Sequence, residues 1–239
     1  TLIDDSFSSI TNAVLWGRSI YRNIQRFIVF QLTINVAALI IDFFGAIFWG
    51  KLPLTVTQLL WINLIMDTFA AGALASLPPD PKVMKDKPRD RNSFIVNKQM
   101  ASFIFGVGLL FVVLLLGLLE YFTVTDYFNT NEPKLSTKEL TAFFTFFVML
   151  QFWNMFNAKA FFSGKSAFNG LFKSVGFLIV GSAILIGQFS IVEFGGKVFR
   201  TVPLTFSEWL IIITTSSIVL WIGELVRLFS KNKTVINNT

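Results

Sequence analysis

The chain has 239 residues, is 54% hydrophobic and 16% aromatic, and carries a net charge of +6, with a mean hydropathy of +0.65; a soluble domain needs far less apolar material for its core. With no Cys and no His, thiolate and imidazole metal sites, cysteine nucleophiles, histidine acid–base catalysis and disulfides are all excluded, so any bound metal is a hard ion held by oxygen.

The first residues, Thr1-Leu-Ile-Asp-Asp-Ser-Phe, lack an initiator Met, a charged start with an apolar run, and a small-residue cleavage site. They do not form a signal peptide, and the chain is expected to begin mid-protein. Crossing about 30 Å of hydrocarbon at 1.5 Å per residue takes roughly 20 apolar residues. Six stretches qualify, over residues 27–49, 57–77, 101–122, 140–162, 171–192 and 208–229. Lipid offers free backbone groups no partner, so the predicted fold class is all-α, a polytopic membrane protein with six transmembrane helices. The predicted organisation is a junction and stalk over 1–26, a six-helix membrane domain over 27–229, and a short tail over 230–239.

Between the spans, basic residues divide sharply. Fifteen fall in one alternate set of segments: Arg18, Arg22 and Arg26; Lys82, Lys85, Lys87, Arg89, Arg91 and Lys98; Lys159, Lys165 and Lys173; Arg227, Lys231 and Lys233. Only five, Lys51, Lys134, Lys138, Lys197 and Arg200, fall in the other. This positive-inside pattern predicts that both termini are cytoplasmic, and it accounts for the charge without nucleic acid. Arg18, Arg22 and Arg26 recur every four residues and form a stripe if the first helix extends below the membrane; that stripe is either a snorkelling flank or a contact with another domain. Leu77-Pro-Pro-Asp-Pro ends the second span, because proline removes donors and fixes φ. Phe194-Gly-Gly-Lys predicts a tight outer turn.

Charge deep in a bilayer is costly, about 2.5–3.5 kcal/mol on an insertion scale, so acidic residues inside spans are informative. Asp67 lies near the middle of the second span, and Asn63 precedes it by four residues, which places both on one face of an α-helix. With no Lys or Arg on a neighbouring span to pair it, Asp67 is protonated, hydrated or coordinating a cation. The first span adds Asn35 and Asp42, seven residues apart on one face; Asp42 is either an exit-vestibule residue or a hydrated bystander. Gln151 falls near the centre of the fourth span with Asn154 and Asn157 below it, and Gln188 is deep in the fifth; single amides such as these serve as interhelical glue or as ligands. Glu120, Glu193, Glu208 and Glu224 lie near span ends and read as structural. Calcium takes six to eight oxygens, and Asn63 with Asp67 supplies at most three from side chains, so the site needs further ligands from water, other spans or other helices.

Trp61-Ile-Asn-Leu-Ile-Met-Asp-Thr, followed by Ala73-Leu-Ala and Pro78-Pro, resembles the sixth membrane helix of P-type calcium ATPases of the plasma-membrane type (type IIB). Asp4-Asp-Ser-Phe-Ser-Ser-Ile and Gly17-Arg-Ser-Ile-Tyr resemble the junction between the phosphorylation domain of such pumps and the fifth helix, and Phe30-Gln-Leu-Thr-Ile-Asn-Val the helix itself. Phe147-Val-Met-Leu-Gln-Phe-Trp-Asn and Phe194-Gly-Gly-Lys-Val-Phe resemble the eighth helix and the loop after the ninth. The resemblance implies that the six spans are helices five to ten, half of a ten-helix membrane domain. It implies that Asn63 and Asp67 are calcium ligands, with Asn35, Asp42 and Gln151 in the second shell or along the pathway. Where two-site pumps of internal membranes have a glutamate on the fifth and eighth helices, this chain has Ala38 and Gln151, which implies one transported Ca2+ per cycle. ATP and Mg2+ would act only through upstream cytosolic domains, the chain's partners together with the first four helices and the lipid bilayer, and the chain alone would be inactive. The expected location is the plasma membrane; the short tail suggests a prokaryotic or simple eukaryotic pump. The alternatives are a stand-alone secondary cation transporter using Asp67 and Asp42, and a non-transporting membrane scaffold; Mn2+ or another hard divalent ion could use the same oxygens.

Overall fold

A computed structural model describes residues 7–49, 52–88, 93–130 and 135–236. Residues 1–6 of the predicted junction and stalk (1–26), and Lys51, Arg89, Arg91 and Lys134, lie outside the described residues, as do the side chains of Lys231 and Lys233. Among the described residues the chain is helical with no strand, as expected of a backbone that must satisfy itself in lipid.

The first span is part of one long helix, α1 (Phe7–Trp49), whose 43 residues carry it well beyond the apolar stretch. The second span is α2 (Val56–Leu60), a π-helical turn (Trp61–Met66) and α3 (Asp67–Ala75). A 3-10 turn (Pro81–Lys85) follows the prolines, capped by Asp80, whose carboxylate accepts from the Lys82 amide at 3.1 Å. Next come α4 (Lys98–Thr130), α5 (Thr137–Ala160), α6 (Val175–Phe194), the short α7 (Gly196–Phe199), α8 (Phe206–Ser216) and α9 (Ile218–Ile236).

Five of the six predicted spans are helices long and apolar enough to cross a membrane. The exception is α5, a 24-residue helix with a full capping box at Ser136 and Glu139. It packs against α1, α4, α6, α8 and α9, and nearly every residue from Thr141 onward is buried. A helix wrapped by other helices need not match lipid, so it can carry Thr145, Gln151, Asn154, Asn157 and Lys159 along its length. Its Phe143, Phe144 and Phe147 are fully buried at the centre of the core.

Two features of the last two spans have local causes. The sixth span pauses at Ser217, between α8 and α9, where Thr214, Thr215, Ser216 and Ser217 turn their hydroxyls back onto carbonyls three or four residues earlier; such back-bonding competes with the helix ladder. The fifth span ends at Phe194 as the Phe194-Gly-Gly-Lys turn predicts, with Gly196 at φ 47°, and the chain continues as the short α7, closed by Arg200 in the left-handed region (φ 51°). Arg200 donates from Nη2 to the Pro53 carbonyl at 2.9 Å, and Gln58 donates to the Phe199 carbonyl at 2.8 Å, so the two loops at this end are bound together.

The arginine stripe does something the sequence did not suggest. Arg18 donates to the carbonyls of Val83 and Asp86, each at 2.9 Å, and Arg22 pairs with the Asp86 carboxylate. Arg26 donates from Nε to the Phe161 carbonyl at 3.1 Å. Within the chain, the stripe clasps α1 to the loop after the second span and to the end of α5. The basic ends of the spans thus form one connected layer.

Candidate cation site

The π turn sits where the second span carries its polar pair. A π turn widens the helix locally and frees backbone groups from the regular ladder, an arrangement frequent at functional sites. Its first residue is held from outside: the Trp61 indole donates from Nε1 to Gln188 Oε1 on α6 at 3.0 Å. Gln188 in turn donates to Thr145 of α5 at 3.5 Å. The Trp61 ring lies over Gly187, where an added Cβ would come within 2.4 Å of a ring carbon. Gln188 is therefore interhelical glue, one of the two roles open to it from sequence. Asn157 is the same, donating to the Val219 carbonyl and accepting from Arg227, each at 2.9 Å.

Asp67 begins α3 immediately after the π turn. It is only 4% exposed, and neither carboxylate oxygen has a hydrogen-bond partner. Among the described residues no Lys or Arg forms an ion pair with it. Gln31 of α1 faces the carboxylate without closing a hydrogen bond. Sequence reading passed over Gln31, although its place four residues before Asn35 on one helix was the available signal.

The other expected residues are not all gathered around Asp67. Asn63, inside the π turn, is exposed on the surface of the bundle, as are Leu64 and Ile65. Asn63 and Asp67 are four residues apart, a spacing that keeps them near one face in either an α or a π turn, so their difference in exposure lies in what packs against each. Asn35 is also exposed, and Asp42 is half-buried with one oxygen lacking a partner. Gln151 is fully buried on α5 with both amide atoms unpaired, and so is Asn154 one turn below it. Ala38 is buried in the main core. Among the described residues no three acidic side chains converge on one point, and Asp67 is the one buried carboxylate, with Gln31 facing it. An unpaired buried carboxylate calls for a proton, water or a cation.

Comparison with known proteins gives this geometry its context. Residues 51–229 match the family described as cation transporting ATPase, C-terminus. The chain belongs to this family. It is 38% identical over 229 residues to plasma membrane calcium-transporting ATPase 2 of Oreochromis mossambicus, covering 94% of this chain and 20% of that protein. It is 40% identical over 217 residues to a putative plasma membrane-type calcium-transporting ATPase 11 of Arabidopsis thaliana, covering 91% of the chain and 21% of the relative. With human plasma membrane calcium-transporting ATPase 4 the identity is 37% over 215 residues, covering 87% of the chain and 17% of the relative. The chain thus spans about a fifth of the length of these relatives, as the C-terminal region of a cation-transporting ATPase of plasma-membrane type.

Proposed function

We propose that the chain is the membrane segment of an ATP-driven calcium pump and supplies part of a single Ca2+ transport site. The observation that carries this reading is Asp67, a buried carboxylate with no partner, adjoining a π turn in a family of cation-transporting ATPases. Calcium, as cargo, would take the Asp67 carboxylate and the Asn63 amide oxygen. Asn35 and Gln151 lie along its path or behind its ligands, and Asp42 nearer the exit. Remaining oxygens come from water and from helices upstream in the same protein. ATP and Mg2+ act through upstream cytosolic domains, so the 239 residues alone are expected to be inactive. The protein is a multi-pass component of the plasma membrane with both termini cytoplasmic.

The clasp between α1 and the following loop suggests how upstream events reach the site. Because α1 is continuous from Phe7 to Trp49 and is tied to the loop that continues α3, displacing the stalk moves both helices that flank Asp67. Two-state coupling of distant sites works through such connected rigid elements. Asp67→Asn in the full-length protein is expected to abolish calcium-dependent phosphoenzyme formation from ATP while leaving the protein folded. Phosphoenzyme levels are read after acid quench over a calcium titration, and unchanged levels with the same calcium dependence would refute the assignment.

A further inference from the structure

Asp67 and Asn63 together leave a calcium ion short of the roughly six to eight oxygens it takes. A further oxygen stands on the helix packed against α3. α1 and α3 lie side by side, and their register is fixed at the basic end, where Asn23 of α1 donates to the carbonyls of Ala75 and Leu77 at 3.4 and 3.0 Å. Eight residues further along α1 is Gln31, and eight residues back from Ala75 is Asp67, each about 12 Å from the tie at 1.5 Å per residue. The register therefore sets Gln31 opposite Asp67, and its side chain faces that carboxylate.

Gln31 differs from the amides that serve as glue. Gln188 and Asn157 close hydrogen bonds from one helix to another, whereas Gln31 closes none with Asp67. It is half-buried, while Asn35, one turn on, is exposed, so it stands where the packed face of α1 meets its open face. A primary amide carries donors on nitrogen and an acceptor on oxygen, and half a turn about its last side-chain bond exchanges them. Turned one way, the group donates to the carboxylate. Turned the other way, it offers an uncharged oxygen to a cation that the carboxylate holds, the kind of ligand that hard divalent ions take beside carboxylates.

On the reading that Asp67 holds calcium, we infer that Gln31 is a further ligand, its amide oxygen joining the Asp67 carboxylate on the ion. Gln31 belongs to the same continuous helix as Arg18 and Arg22, which grip the loop after the second span. A ligand at this position sets the ion between α1 and α3, and displacement of the stalk then draws an oxygen away from it.

The test follows the unfolding temperature of the purified full-length protein as free calcium is raised, since an ion that binds only the folded state stabilises it by mass action. Gln31→Leu keeps the bulk and removes the oxygen, and it is expected to need about tenfold more calcium than wild type for the same rise. Gln31→Glu restores an oxygen at the same reach and is expected to bring the requirement back toward wild type. Asp67→Asn is expected to abolish the rise. A wild-type calcium requirement in Gln31→Leu, with the rise lost in Asp67→Asn, overturns the ligand and leaves the Asp67 reading standing. Equal weakening by Leu and Glu also overturns it, because the shape of the side chain and not its oxygen would then matter. An unchanged rise in Asp67→Asn overturns both.

Discussion

Gly187→Ala is expected to destabilise the protein by about 1–3 kcal/mol, the usual cost of forcing one extra carbon into a packed interior. The new Cβ would lie 2.4 Å from the six-membered ring of Trp61. The indole cannot retreat without breaking its 3.0 Å bond to Gln188, a further loss of about 1 kcal/mol. Because Trp61 opens the π turn that precedes Asp67, calcium affinity should fall together with thermal stability. Trp61→Phe removes the ring atoms that the methyl meets, so the double variant Gly187→Ala/Trp61→Phe should be less destabilised than the sum of the singles. Thermal unfolding of the full-length protein in detergent measures all three. Strict additivity would show that the two residues do not constrain each other.

Glu224→Ala is expected to cost about 2–4 kcal/mol, somewhat below the range for breaking a fully buried ion pair because both partners keep slight exposure. Its carboxylate accepts from the Ala167 amide at 2.6 Å and from Arg227 at 2.8 Å. Arg227 also donates to Asn157 on α5. One carboxylate therefore joins α9, α5 and the loop between α5 and α6, and its removal leaves the guanidinium without a counter-charge and a backbone amide without an acceptor. Glu224→Gln keeps an acceptor and should recover part of the loss. Unfolding temperatures of the three proteins decide it; equal values for Ala and Gln would show that the acceptor oxygen has no share in the effect.

Much of this fold could be read from the sequence because lipid imposes simple rules. Long apolar runs gave the helices, the Pro78-Pro79 pair gave the end of the second span, and the rarity of deep charge drew attention to Asp67. For Gln188 and Asn157 the sequence left glue and ligand both open, and the partners found in the structure make them glue. What escaped is what depends on distant partners. The ligands of Arg18 and Arg22 lie more than sixty residues away on a loop, and nothing in a four-residue repeat names them. The π turn arises in Trp61-Ile-Asn-Leu-Ile-Met, which holds no Gly or Pro to announce a break. Asn63, inside it, is exposed while Asp67, just after it, is buried. Gln31 was overlooked because its significance comes only from facing α3. Asn154, as buried and unpaired as Gln151, could be placed by spacing, but its lack of any partner could not.

Asp67 is the residue on which the account turns, since a buried carboxylate without a partner calls for a proton, water or a cation. Equilibrium binding of radioactive calcium to the purified full-length protein, without ATP, measures the cation directly. The account predicts one calcium bound per molecule for wild type and none for Asp67→Asn at the same free calcium. Two ions bound to wild type, or one still bound at unchanged affinity to the variant, would contradict it.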